Sequence, residues 1–241
     1  MYGMYGYGYG YGLDPTIILV LIGVALSLWA QGRVNSTFSR YSRVRSMTGM
    51  TGAEAARRLL NAQGIYDVTV QQIAGELTDH YDPRTKTVNL SQSVYGATSV
   101  AAIGVAAHEC GHAMQDNEGY APLRFRSALV PGANFGSSPS WPLILLGLVF
   151  GGLGSPLVEI GILMFSLAVL FQLVTLPVEY NASARAVRLL DAQGILAGEE
   201  VNGTRKVLNA AALTYVAAAA TSILQLLRLI ILFGGRNRRD R

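Results

Sequence analysis

The sequence predicts an α+β fold class: a mainly helical integral membrane protein with a cytoplasmic domain that carries a small antiparallel sheet. Three observations lead there. The 241-residue chain is 51% hydrophobic and only 14% charged, too apolar and too poor in charge for an ordinary soluble domain. Its apolar residues are gathered into long runs that leave one extended polar stretch between them. Within that stretch, short segments alternate between apolar and polar residues, the period of half-buried strands. The net charge is +4, but the basic residues flank the apolar runs instead of forming one stripe. That distribution suits a lipid bilayer and excludes nucleic acid as the partner. A single cysteine, Cys110, rules out an intrachain disulfide framework.

The elements follow in order. Residues 1–15 are low-complexity Tyr/Gly, unable to bury a core, and are expected to be disordered. A transmembrane helix is predicted over 16–32, built on the apolar run from Thr16 to Ala30. No basic residue precedes it, which argues against a secretory signal peptide. Arg33, Arg40, Arg43 and Arg45 come directly after it, so the N-terminus is expected outside and the next segment in the cytoplasm. Residues 33–140 form the cytoplasmic domain. There Thr51-Gly-Ala-Glu54 is a capping-box pattern that opens a helix stopped at Gly64. Strands are predicted near 66–72, 75–81 and 86–90, the last two a hairpin around Asp82-Pro83.

A transmembrane helical hairpin is predicted over 141–177, its first limb short, its tip marked by Gly152, Gly154, Ser155 and Pro156. A helical cytoplasmic segment, 178–209, follows. An apolar helix over 210–233 is a candidate fourth span, and 234–241 is a basic tail. Continued alternation would send that tail outside, against the positive-inside rule, and Arg228 inside the run is costly in lipid. One internal echo joins ARRLLNAQGI (56–65) to AVRLLDAQGI (186–195). Both read as an amphipathic helix stopped by glycine at C′, a shared helix-stop and not a repeat architecture.

The chemistry is concentrated in VAAHECGHAMQD, residues 105–116. With 3 histidines in the chain, chance would produce His-Glu-x-x-His on the order of once in a thousand shuffles, so the motif carries weight. Its surroundings are small, apolar and free of proline, as in a buried helix. On a helix His108 and His112 project from one face and can reach one tetrahedral ion. Glu109 is one step round, placed to take a proton from water. A buried Glu without such a role would be costly. Cys110 is turned about 200° from the ligand face and reads as packing.

A catalytic zinc site needs a third protein ligand. Glu179, in LPVEYNASARAVRLL, and His80, in TDHYDP, are the candidates. An even number of spans separates His112 from Glu179, which puts both on the cytoplasmic side, and a helix emerging from the membrane can pack beside the motif helix. Glu179 is therefore the expected third ligand of one Zn2+ per chain. His80 is expected to line the substrate cleft, where it, Tyr81 or Tyr120 would hold the oxyanion. An extended peptide or membrane-protein substrate would add to the edge of the His80–Leu90 hairpin.

The order of HECGH, membrane hairpin and Glu-bearing helix resembles HtpX-type membrane peptidases. DHYDPRTKTVNLS, AAHECGHAMQD, YAPLRFRSALVP and PVEYNASARA are together most similar to the YugP-like family of neutral zinc metallopeptidases of bacterial membranes. The resemblance covers nearly all of the chain beyond the Tyr/Gly head. It implies a zincin-like domain, zinc, a cytoplasm-facing active site in the cell membrane, and peptide hydrolysis. In one respect the chain departs from the HtpX-like pattern. Those enzymes place Asp four residues after the ligand Glu to hold a histidine; here that position is Ser183. Ser183, Asn181 or a backbone carbonyl must then satisfy the imidazole N–H. The competing readings are a non-catalytic zinc-containing membrane adaptor and a zinc hydrolase of a non-peptide substrate. Glu109, which only catalysis requires, argues against the adaptor.

Overall fold

The protein is described as a computed structural model over residues 14–137, 140–152 and 155–233. The expected disorder of the Tyr/Gly head and the basic tail 234–241 fall outside these residues, apart from Asp14 and Pro15. Among the described residues eight helices and three strands run in the order α1 (Ile17–Tyr41), α2 (Gly52–Ala62), β1 (Thr69–Ile73), β2 (His80–Asp82), β3 (Thr87–Ser91), α3 (Gln92–Tyr95), α4 (Val100–Asn117), α5 (Ala121–Ser137), α6 (Ser140–Gly151), α7 (Pro156–Ala192) and α8 (Glu199–Phe233).

Among the described residues three helices, α1, α7 and α8, are long and apolar enough to cross a membrane, and α6 is a shorter apolar helix. They turn apolar side chains outward: Leu28 and Trp29 on α1, Val149 and Phe150 on α6, Leu163 on α7 and Ile231 on α8 are all exposed. So extensive an apolar surface has no place in water. α1 and α8 lie antiparallel. Arg228 pairs with Asp14 at 3.2 Å and donates to Thr16 at 3.1 Å, Thr221 meets Gly23, and Gly203 packs on Tyr41. The Asp14 partner explains how an arginine is accommodated in an apolar helix. α5 and α6 descend in tandem along α7, with Arg126 over the Phe171 ring at one level and Gly161 against Ile144 deeper.

At the polar end α2, α4, the sheet and the last turns of α7 share one core of Leu59, Leu60, Leu90, Ile103, Cys110 and Leu190. The capping box is formed: Glu54 N–H donates to Thr51 Oγ1 at 3.2 Å and Thr51 N–H to Glu54 Oε2 at 2.8 Å. Both echo segments end alike. Gly64 and Gly194 take φ of 70° and 61°, and the next residues, Ile65 and Ile195, bond back to Leu60 and Leu190 and are buried. The two ends also touch, since Arg58 donates to the Gln193 carbonyl.

The sheet corrects the expectation of an antiparallel one. Its order is β1-β3-β2; β2 pairs antiparallel with β3, as the hairpin reading requires, but β1 pairs with β3 in parallel. The physical reason is that β3 is buried along its whole length, so both its edges need hydrogen-bonding partners. The link at 74–79, which passes through positive φ at Gly75 and Leu77, carries the chain across to the far edge. β2 is left as an edge strand beside α4.

A second difference concerns Glu179, expected at a helix start. It lies well inside α7, which runs unbroken through Pro177. The stripe Thr175, Val178, Glu179, Ala182, Ser183, Ala186, Leu189 is buried at helical spacing, and packing of that stripe overrides the local preference of proline to open a helix.

α4 and α7 meet closely at Gly111, where an added Cβ would stand 2.6 Å from the Ala182 carbonyl oxygen. Gly111→Ala is therefore expected to force the two helices apart. Overpacking of this kind costs about 1–3 kcal/mol, so the variant should unfold at lower temperature than wild type in a thermal melt and lose metal affinity with it.

Candidate metal centre

Two helices carry the site. α4 is opened by Ser99, whose Oγ accepts the Ala102 N–H, and its small residues allow close contact on every side. His108 and His112 fall one turn apart on the face toward α7, where Glu179 is 2% exposed. His108 Nε2 lies 3.2 Å from Glu179 Oε2, His112 Nε2 lies 3.2 Å from His108 Nε2, and His112 Nε2 lies 3.5 Å from Glu179 Oε2. Among the described residues this is the group of His, Cys, Asp or Glu side chains whose donor atoms converge as metal ligands would.

The triangle has a diagnostic size. Nitrogen and oxygen ligands ~2.0–2.1 Å from a tetrahedral ion stand about 3.3–3.4 Å apart, which matches the three edges. Protons alone account poorly for the arrangement, because two imidazole nitrogens and one carboxylate oxygen face a common point.

The far nitrogen of each ring is held. His108 Nδ1 lies 3.1 Å from Ser183 Oγ, so Ser183 occupies the role the departed Asp would have had. His112 Nδ1 lies 3.0 Å from Gln115 Oε1. The Gln115 amide nitrogen donates to the Val178 carbonyl at 2.9 Å and to Asn181 Oδ1 at 3.0 Å. Asn181 Oδ1 also accepts from Arg185 Nε at 2.7 Å. A guanidinium can only donate. Arg185 thus fixes the Asn181 amide, Asn181 fixes Gln115, and Gln115 oxygen requires the His112 proton on Nδ1. The neutral His112 then presents its Nε2 lone pair to the centre.

Glu109 is buried beside the triangle without joining it. Its Oε2 accepts the Tyr81 backbone N–H at 3.0 Å. That bond shows that the unpaired edge of β2 faces α4. The Tyr81 hydroxyl donates to Asp116 at 2.8 Å, and Lys86 Nζ donates to the same oxygen at 2.9 Å. Burial and then the Asp116 bond push the Tyr81 phenol above its ordinary pKa, and the same carboxylate raises Lys86. Asp116 therefore clamps the sheet to the motif helix. Cys110 is fully buried on the other side of α4, its thiol directed to the Ala56 carbonyl and pushed up by burial.

A cavity of about 850 Å³ opens over the centre, bounded by β2, α4, α5, α7 and α8. His80 lines it, but its ring is engaged with the Thr78 carbonyl at 2.8 Å and Asn89 at 3.2 Å, and it is not in the metal group. Tyr81 lines the cavity also. Tyr120 lies off it, under the Arg185 guanidinium. Sequence reasoning missed Gln115, Arg126 and Tyr215. Arg126 Nη1 is 3.6 Å from Glu179 Oε1, and Tyr215 lines the cavity from α8. Gln115, three residues after His112, had a local signal in its helical spacing; Arg126 lies on the next helix, α5, and Tyr215 on α8, with no such spacing to mark them.

These donors could hold a metal ion, in a chain with three described helices long and apolar enough to cross a membrane. The chain belongs to the family described as "Putative neutral zinc metallopeptidase", whose model matches residues 16–234. It is 49% identical over 217 residues to the "Putative membrane protease YugP" of Bacillus subtilis (strain 168), an alignment that covers 90% of this chain and 96% of that protein. No solved structure matches the chain.

Removal of a hydrogen-bond partner from a ligating histidine typically costs 10–100-fold in metal affinity. Gln115→Leu and Ser183→Ala are each expected to weaken zinc binding within that range, read by competition with a chromophoric chelator. Arg185→Gln, two links farther out, should produce a smaller loss.

Proposed function

We propose that the protein is a zinc-dependent membrane endopeptidase, with one Zn2+ held by His108, His112 and Glu179 and with Glu109 as general base. The observation that carries this is the triangle of two Nε2 atoms and one Oε2 atom at 3.2, 3.2 and 3.5 Å, with the Glu109 carboxylate beside it. Zinc, when bound, supplies a Lewis acid for the scissile carbonyl and makes water a nucleophile at neutral pH. The chain's own groups do the rest. Glu109 takes the proton of the attacking water and gives it to the leaving amine. Its Tyr81 N–H bond holds the carboxylate toward the cavity. An extended peptide, or an extended stretch of a membrane protein, lies beside the edge of β2 and adds main-chain hydrogen bonds to the groups there that Glu109 leaves free. His80 and Tyr81 border the same cleft.

The protein is proposed to be a multi-pass protein of the cell membrane. Arg33, Arg40, Arg43 and Arg45 cluster where α1 leaves its apolar stretch, and the positive-inside rule puts that end, and the active site with it, in the cytoplasm.

Two experiments test these readings. Purified protein should carry about one zinc per chain, which His108→Ala, His112→Ala or Glu179→Ala should strip and His80→Ala should not. Glu109→Gln should keep zinc and stability while cleavage of a general protein substrate falls by about a hundredfold to ten-thousandfold. An undiminished rate in a zinc-loaded Glu109→Gln variant would move the chemistry to other residues.

Topology can be read with cysteine labelling, because buried Cys110 gives little background. Asp67→Cys should be shielded from an impermeant thiol reagent in intact cells, and Phe150→Cys should react. The opposite pattern would invert the orientation.

A further inference from the structure

A second cavity, of about 670 Å³, lies away from the metal centre among α1, α7 and α8. Among the described residues α8 packs against both α1 and α7, while α1 and α7 share no extensive interface. The gap between those two is a groove with α8 as its floor, and the cavity is the groove's polar end. Its lining includes Arg33 and Arg40 from α1, Lys206 and Asn209 from α8, and Tyr180 from α7. No carboxylate lines it. None of the ion pairs among the described residues involves Arg33, Arg40 or Lys206. The two acids that open α8 are engaged elsewhere: Glu200 accepts from the Met47 and Ala197 backbone, and Glu199 from Asn202. Three cations are thus held together without counter-charge.

The height of the cavity identifies its ligand. Each of its three helices changes from apolar to polar at this level. α1 does so after Ala30, α7 after Val178, and α8, read backwards, at Asn209. Leu213 closes the cavity on the apolar side, and beyond that level α1 and α7 expose apolar side chains such as Leu21, Leu28, Leu167 and Leu170. A ligand that fits has phosphate at one end and hydrocarbon at the other. Basic pockets between membrane helices at the headgroup level bind anionic lipid.

We propose that this cavity binds the headgroup of an anionic phospholipid, its phosphate held by Arg33, Arg40 and Lys206, its acyl chains lying in the groove between α1 and α7. The site is separate from the metal centre and does not depend on the peptidase reading. α8 joins the two, since Lys206 and Asn209 line one cavity and Tyr215 the other.

The test uses the full-length protein in mixed micelles of phosphatidylglycerol and phosphatidylcholine, with retained lipid counted by native mass spectrometry. About one phosphatidylglycerol per chain should be retained in preference to phosphatidylcholine. Each cation near an anionic headgroup contributes roughly fivefold in affinity, so the Arg40→Gln/Lys206→Gln pair should weaken retention by roughly 25-fold. Arg43→Gln, at an exposed arginine outside the cavity, should leave it unchanged. Zinc content and thermal midpoint report that the variants are folded. Equal retention of the two lipids by wild-type protein would overturn the proposal without recourse to any variant. So would an Arg43→Gln effect as large as that of Arg40→Gln. Displacement of phosphatidylglycerol by millimolar inorganic phosphate would show a soluble phosphate site instead of a lipid site, and would overturn it as well.

Discussion

The site depends on how closely two backbones can approach. His108 and His112 reach Glu179 only because α4 lies against α7 at Gly111, with no side chain between that residue and the Ala182 carbonyl. The same logic explains the company the motif keeps. Ala102, Ala106, Ala107 and Ala113 are all buried, and Gly104 meets Thr204 of α8 on another face. A helix with larger side chains would stand farther from its neighbours, and imidazole and carboxylate would no longer share a point. The small, apolar character of the helix is thus a condition for its chemistry.

Once the backbones are set, a chain of buried polar groups sets the protons. A buried amide or imidazole with the wrong orientation loses more than it gains, so each group here is constrained by the next. The constraint begins at Arg185, held by Glu118 at 2.6 Å at the protein surface, and ends at the His112 lone pair. Ser183 gives His108 a weaker hold, since a hydroxyl can either donate or accept. The two histidines are therefore not equivalent. His112 is committed to one tautomer by its surroundings, whereas His108 takes the tautomer that its other partners select.

Much of this was legible in the sequence, and the boundary of legibility has a physical meaning. The capping box at Thr51, the two glycine stops, the HECGH face and the apolar runs are local: each is fixed by residues within one or two turns. Glu179 was named from an argument about topology, and the structure brings its carboxylate to the two histidines. What could not be read were features decided by partners far away in sequence. The parallel pairing of β1 follows from the burial of β3, which depends on α2 and α4 covering it. The continuity of α7 through Pro177 follows from its buried stripe and not from any local preference. Tyr215 comes to the cavity from α8, whose sequence looks like a membrane anchor, and nothing near it marks it for the site.

The same cavity ties the two halves of the molecule together. The cavity over the metal centre has strand residues, Asp79 to Asp82, on one wall, and α5 and α8 residues, Leu123, Val130 and Tyr215, on another. α5 packs along α7, and α8 continues as an apolar helix, so that wall is built on elements that also turn apolar side chains outward. A catalytic domain tethered by a flexible linker would have been free of such a constraint. Here α7 and α8, both long and apolar enough to cross a membrane, also carry Glu179 and Tyr215, and a tilt of either helix would change the separation of the groups at the centre. Apolar outward faces on these helices therefore do more than hold the protein in place: they fix the frame in which two histidines and a glutamate converge.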